Sequence, residues 1–352
     1  MTASSDTKTI AVALTGASGM PYGLRLVECL LAAGCRVWLL YSQVAQIVAR
    51  QEMELSLPAR PAEVEAELSA RFGAAPGQLR VFGREEWFAP PASGSNPPDA
   101  MVVCPCSIGS LAAIAAGLAS TLIERAADVA IKEGRKLVIV PRETPFSVIH
   151  LENMLRLAKA GAVILPPNPG FYHHPSDLRG VIDFVVARQE MDLSLPARPF
   201  DVEAQLSARF GAAPGQLRVF GREEWFAPPA SGSNPPDAMV VCPCSMGSLA
   251  AIAAGLASTL IERAADVAIK EGRKLVIVPR ETPFSVLHLE NMLRLARMGV
   301  VILPANPGFY HHPQSVGDLV DFVVARILDQ LGVAHALMPR WGEDASDNQR
   351  EE

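Results

Sequence analysis

Apolar residues fall along this chain in short unbroken runs, separated by stretches where they recur every three or four positions. TIAVALTG (9–16) and RVWLLYS (36–42) are continuous β-rich runs, the pattern of strands buried on both faces. AMVVCPC (100–106), KLVIVPRE (136–143) and GAVILPPNPG (161–170) repeat it. Between them ASGMPYGLRLVECLLAAG, closing at Gly34, then QVAQIVARQEMEL, the segment 107–130, HLENMLRLAKAG and VIDFVVAR carry helical spacing. Strands alternating with helices predict a parallel sheet covered on both faces, a doubly wound α/β fold in three layers. APPASGSNPPD (89–99) is rich in Pro, Gly and Ser and predicts an irregular surface loop.

The pattern then starts again. Shifted by 138 positions, residues 51–188 fall on 189–326 without a gap; 17 of the 138 positions differ, leaving 121 identical. A period that long is a copied domain, not a solenoid module. Removing one copy from the 352 residues leaves 214, an ordinary single-domain length. The expected organisation is a first domain over 1–188 that lacks a C-terminal tail. A partial second copy over 189–352 has the tail but no strand–turn–helix–strand start. The single start, 1–50, is expected to pair with 51–188, because chain continuity makes that closure cheaper by a small margin. Pairing with 189–326 and docking of the second copy as a built-in neighbour are the alternatives.

The chain is 49% hydrophobic and 19% charged with a net charge of −6, and its mean hydropathy is +0.21. That fills a sizeable core, and without a basic block a nucleic-acid surface is not expected. MTASSDTK does not read as a signal peptide, and SIGSLAAIAAGLASTLI (107–123) is too short to span a bilayer. Cys29, Cys35 and the Cys-Pro-Cys pairs 104/106 and 242/244 match no common zinc spacing. They read as core thiols in a reducing cytoplasm.

In doubly wound sheets ligands gather at the carboxyl ends of the strands. The residues just beyond the strands here are Gly16-Ala17-Ser18-Gly19, Ser42, Ser107 to Ser110, Arg142-Glu143 and Phe171-Tyr172-His173. Small hydroxyls, a guanidinium and an aromatic on one rim suit a flat, phosphorylated ligand. TGASGMPYG (15–23) could cradle an anion on helix-start amides, with a plain tight turn as the alternative. CPCSIGSL (104–111) repeats the device, with Ser107 as a helix N-cap the alternative. Arg142 in VPRETPFS suits bidentate phosphate binding. In PGFYHHP (169–175) the histidines have no third ligand at useful spacing, so a turn is expected there and not a metal site.

Together TGASGMPYG, FAPPASGS, CPCSIGSL, LIERAADVAIKE, VPRETPFS, HLENMLRL, PGFYHHP, DFVVAR and MPRWG (338–342) resemble the UbiX-type flavin prenyltransferases. The resemblance covers 9–188, then 189–342. It implies a flavodoxin- or Rossmann-like domain in a homo-oligomer with sites between subunits. It implies metal-free transfer of a dimethylallyl group from dimethylallyl phosphate to reduced FMN at N5 and C6. The product, prenylated FMN, would serve a UbiD-type decarboxylase. FMN is then expected at Gly16, Ala17, Ser18, Ser42, Ser107, Ile108, Gly109, Ser110 and Arg142. Dimethylallyl phosphate is expected at Tyr172 and Arg188, with Lys132, Glu143 and Glu52 nearby. Trp87 could face an allylic cation. The second copy repeats Trp225, Ser245, Met246, Gly247, Ser248, Lys270, Arg280, Glu281, Tyr310 and Arg326.

Two rival readings remain at this point. A rearranged chain could bind FMN without turnover. A flavin-dependent cysteine decarboxylase would share the fold, but the Met-Asn dipeptide of its signature does not occur here.

Overall fold

The computed structural model describes residues 7–169, 175, 177–186 and 199–338. The first part runs β1 (Thr9–Leu14), α1 (Met20–Ala32), β2 (Arg36–Tyr41), α2 (Gln43–Met53), α3 (Pro61–Phe72) and β3 (Leu79–Phe82). It continues with β4 (Ala100–Cys106), α4 (Ile108–Ala115), α5 (Leu122–Lys132), β5 (Lys136–Pro141), α6 (Val148–Lys159), β6 (Val163–Ile164) and α7 (Leu178–Val186). The second copy runs α8 (Pro199–Phe210), β7 (Ala238–Cys244), α9 (Met246–Ala253), α10 (Leu260–Lys270), β8 (Lys274–Pro279), α11 (Val286–Arg297), β9 (Val301–Ile302) and α12 (Val316–Leu331).

The first sheet is six-stranded and parallel, in the order β3-β2-β1-β4-β5-β6. Its strand order reverses between β1 and β4, which opens a crevice at their carboxyl ends. The strands of segment 1–50 thus lie inside the first copy's sheet, with β1 between β2 and β4. The second copy forms a three-stranded sheet, β7-β8-β9. No helix among the described residues is long and apolar enough to cross a membrane.

Three local differences from the pattern have physical reasons. The helix expected over 107–130 is two helices. The chain breaks at Gly117 (φ 72°), and Thr121 restarts it with a capping box to Glu124. Only Val163 and Ile164 of 161–170 join the ladder, since the PPNP run after them offers few donors. α3 and β3 escaped the pattern altogether. α3 starts at Pro61, ends before Gly73 (φ 65°) and buries only Val64 and Leu68.

The two copies meet about a pseudo-two-fold axis, and a set of contacts is made twice with the copies exchanged. Phe146 N donates to Ile302 O and Phe284 N to Ile164 O, both at 2.8 Å. Thr144 Oγ1 donates to Pro304 O and Thr282 Oγ1 to Pro166 O. Asn168 Nδ2 donates to Glu281 O and Asn306 Nδ2 to Glu143 O. Lys159 pairs with Glu290, and Arg297 with Glu152. Leu151, Met154 and Leu157 of α6 share one continuous core with Leu289, Met292 and Leu295 of α11. This is the isologous geometry of a homodimer interface, contained within a single chain.

Candidate active site

The crevice beside the β1–β4 switch is a cleft of about 780 Å³, inside the roughly 300–1,000 Å³ range of small-molecule sites. The start segment and the first copy supply Gly16, Ser18, Val44, Ile47, Glu52, Arg142 and Glu143. The second copy supplies Tyr310, Phe322 and Arg326. One wall is apolar, with Val44 and Ile47 half-exposed; the other is polar.

The glycine turn is shaped by close packing. A side chain at Gly16 would collide with Val44, and Gly19 caps α1 in the left-handed region at φ 113°. The amides at this helix start do not point at an open anion site. Gly19 N and Met20 N donate to the Glu52 carboxylate at 2.9 Å each. A built-in carboxylate thus occupies the positive end of α1 and is itself held at the cleft. Both amides are buried, so Glu52→Ala would leave them without a partner. That loss is expected to cost about 2 kcal/mol, read as a lower urea midpoint with an unchanged slope.

Ser18 is committed as well. Its hydroxyl accepts from Phe309 N at 2.8 Å and so seats the second copy's loop on the first copy's turn. Phe309 is buried and packs edge-on to Tyr22, at 5.2 Å between centroids. Next to it Tyr310 projects into the cleft and meets Phe322 edge-on. Burial raises the Tyr310 pKa, so its hydroxyl stays protonated and can donate to an anion. His311 stacks on Phe322 at 5.4 Å, and burial lowers its pKa. A neutral imidazole backing the aromatic wall was not foreseen from the sequence.

Arg142 lies just past β5, with its backbone N bonded to Cys106 O. Its Nε is buried without a hydrogen-bond partner, a donor that asks for an acceptor in the cleft. Cys104 and Cys106 lie behind it. Burial pushes Cys104 up to about 12 and Cys106 higher still, so both are protonated core thiols and not nucleophiles. Among the described residues no three His, Cys, Asp or Glu side chains gather as a metal site.

Other expected residues sit elsewhere. Ala17 is buried in the turn. Ser42 caps α2 by accepting from Ala45 N. Ser107 caps α4, and its N donates to Thr15 Oγ1, so Ser107 to Ser110 hold the switch point together without lining the described cleft. Lys132 pairs with Glu133 at 2.8 Å, and Trp87 stands 44% exposed after β3. Neither is brought to the cleft within one chain. Ser245 to Ser248 begin α9, Arg280 lies just past β8, and the Glu281 carbonyl accepts from Asn168. None of these second-copy residues lines the cleft. Tyr172 and Arg188 lie outside the described residues, as does Trp341 of the tail.

A family model described as Flavoprotein matches residues 2–190 and again 193–328. The chain is 57% identical over 187 residues to a flavin prenyltransferase UbiX of Pseudomonas aeruginosa, covering 53% of this chain and 90% of that one. It is 52% identical over 141 residues to a flavin prenyltransferase UbiX of Halalkalibacterium halodurans, covering 40% and 68%. Among solved structures, a crystal structure of AnUbiX (PadA1) in complex with FMN and dimethylallyl pyrophosphate aligns with a TM-score of 0.46 at 34% identity, over 61% of this chain and 98% of that one.

Proposed function

Because the chain belongs to the Flavoprotein family, we propose that it transfers a dimethylallyl group from dimethylallyl phosphate to reduced FMN, as a metal-independent flavin prenyltransferase. Residues 1–188 act as the catalytic domain, and 189–352 as a partial copy that completes its site. The observation that carries this is the cleft itself: two arginines, a tyrosine hydroxyl and an apolar wall converge on a nucleotide-sized space at the switch point.

The residues present fit a flavin nucleotide. The orphaned Arg142 Nε calls for an anionic acceptor, and Val44 and Ile47 offer a flat apolar face. When bound, reduced FMN supplies the nucleophilic nitrogen N5 and the ring carbon C6 to which the dimethylallyl group becomes attached. The chain does the rest by positioning and charge. As the allylic C–O bond breaks, the leaving phosphate keeps the electron pair. Arg142 and Arg326 neutralise that charge while Tyr310 donates its hydroxyl proton in a hydrogen bond. The apolar wall excludes water from the cationic allyl fragment. The proton displaced from the nitrogen would leave with the phosphate. The second bond would need one proton delivered to the allylic double bond and one taken from the ring carbon, transfers that the Glu143 carboxylate and the departed phosphate would carry. Holding two reactants face to face accounts for much of the rate.

The modified flavin would be consumed by a UbiD-type decarboxylase. Six unpaired thiols suit the reducing cytoplasm. Trp87 and Lys132, exposed on the first copy, would join the site in a homo-oligomer, from another chain.

Mixing the protein anaerobically with reduced FMN and dimethylallyl phosphate is expected to change the flavin spectrum and release one phosphate per flavin. Bound FMN with an unchanged spectrum and no phosphate would overturn the transfer reading and leave a binding protein.

A further inference from the structure

Each residue after position 50 that lines the cleft occurs twice in this chain, yet the start segment occurs once. We infer that the chain holds one working flavin site and that its duplicated residues divide the labour crosswise. Arg142 and Glu143 of the first copy work with Tyr310 and Arg326 of the second, while Arg280 and Glu281 serve no site. This rests on the flavin reading given under Proposed function.

Two independent observations carry it. The first is the crossing. The pseudo-two-fold axis brings the second copy's loop onto the first copy's glycine turn, where Phe309 N is fixed by Ser18 Oγ and Phe309 packs against Tyr22. Tyr310 and Arg326 thereby enter the cleft that contains Arg142 and Glu143. The second is the state of the other rim. In the first copy, Thr15 Oγ1 donates to Pro105 O and accepts from Ser107 N, tying β1 to β4 at the switch point. Their counterparts Pro243 and Ser245 have no such threonine, because the segment that would hold it does not exist. β7 accordingly ends its sheet. Cys242 and Pro243 are exposed, whereas Cys104 and Pro105 are buried. A rim with no turn and no neighbouring strand has no crevice in which to hold a nucleotide.

The test counts flavin per chain, by absorbance after denaturation and by native mass spectrometry of the full-length protein, in the parent and in three variants, two of them a mirror pair. One FMN per 352-residue chain is expected. Arg142→Ala should weaken FMN or substrate binding about tenfold or more, the scale of a lost charge-assisted contact, while Arg280→Ala should leave it within about twofold. Arg326→Ala should raise KM for dimethylallyl phosphate about tenfold. Arg280→Ala controls for Arg142→Ala, and Arg142→Lys substitutes if Arg142→Ala does not fold. Two flavins per chain, damage from Arg280→Ala in place of Arg142→Ala, or an unchanged KM in Arg326→Ala would overturn the crossed assignment. A chain that retains no flavin in either redox state overturns the flavin reading itself, and this inference with it.

Discussion

Arg142→Ala is expected to lower kcat/KM for dimethylallyl transfer by about 10²–10³, the loss seen when one preorganised donor to a developing charge is removed. The guanidinium sits at the end of a buried strand, with its backbone N tied to Cys106 O and its Nε lacking any protein acceptor. It is therefore poised before the ligand arrives, and no reorganisation is needed as charge develops. Arg142→Lys should recover only part of the rate, because an ammonium offers a point charge and not the planar fork. Steady-state phosphate release at saturating FMN measures both. A rate within threefold of the parent in Arg142→Ala would show that the phosphate leaves elsewhere.

The second large effect is expected from a residue that touches no reactant. Phe309→Ala removes a buried ring that packs edge-on to the fully buried Tyr22, in a small cluster joining both copies with Cys104, Val140, Val181 and Leu319. Truncations of this kind cost about 3–5 kcal/mol. Here the cost falls on the seating of one copy's loop upon the other's turn. Denaturant unfolding should therefore show a lower midpoint, and KM for dimethylallyl phosphate should rise because Tyr310 is the next residue along. Phe309→Leu, which refills most of the volume, should restore stability more than it restores KM. If both variants unfold like the parent, the loop does not hold the copies together.

Much of this arrangement could be read from the chain. Continuous apolar runs named β1, β2, β4 and β5, and the residues just beyond them included Gly16, Ser18 and Arg142, which do reach the cleft. What could not be read was set by partners distant in sequence. Glu52 binds amides 32 and 33 positions earlier, and no local pattern marks a carboxylate as the occupant of a helix start. Tyr310 stands in a PGFYHHP stretch that occurs twice in the chain, and only the docking of the second copy on the first brings it to the cleft with Arg142. LRVF makes the point most sharply. At 79–82 it is a strand beside β2, and at 217–220 the same four residues form none, because no β2 lies alongside. The preceding helices behave likewise: α3 buries Val64 and Leu68, whereas α8 buries nothing. Strand propensity is a fit to neighbours more than a property of the letters.

In an ordinary two-fold assembly one gene writes both faces, so any codon change strikes twice and a useful change on one side can be vetoed by its echo on the other. Here the faces are written separately. The cation opposite Glu290 is Lys159, while the one opposite Glu152 has become Arg297, so the two halves of the seam have already parted company and can be tuned one at a time.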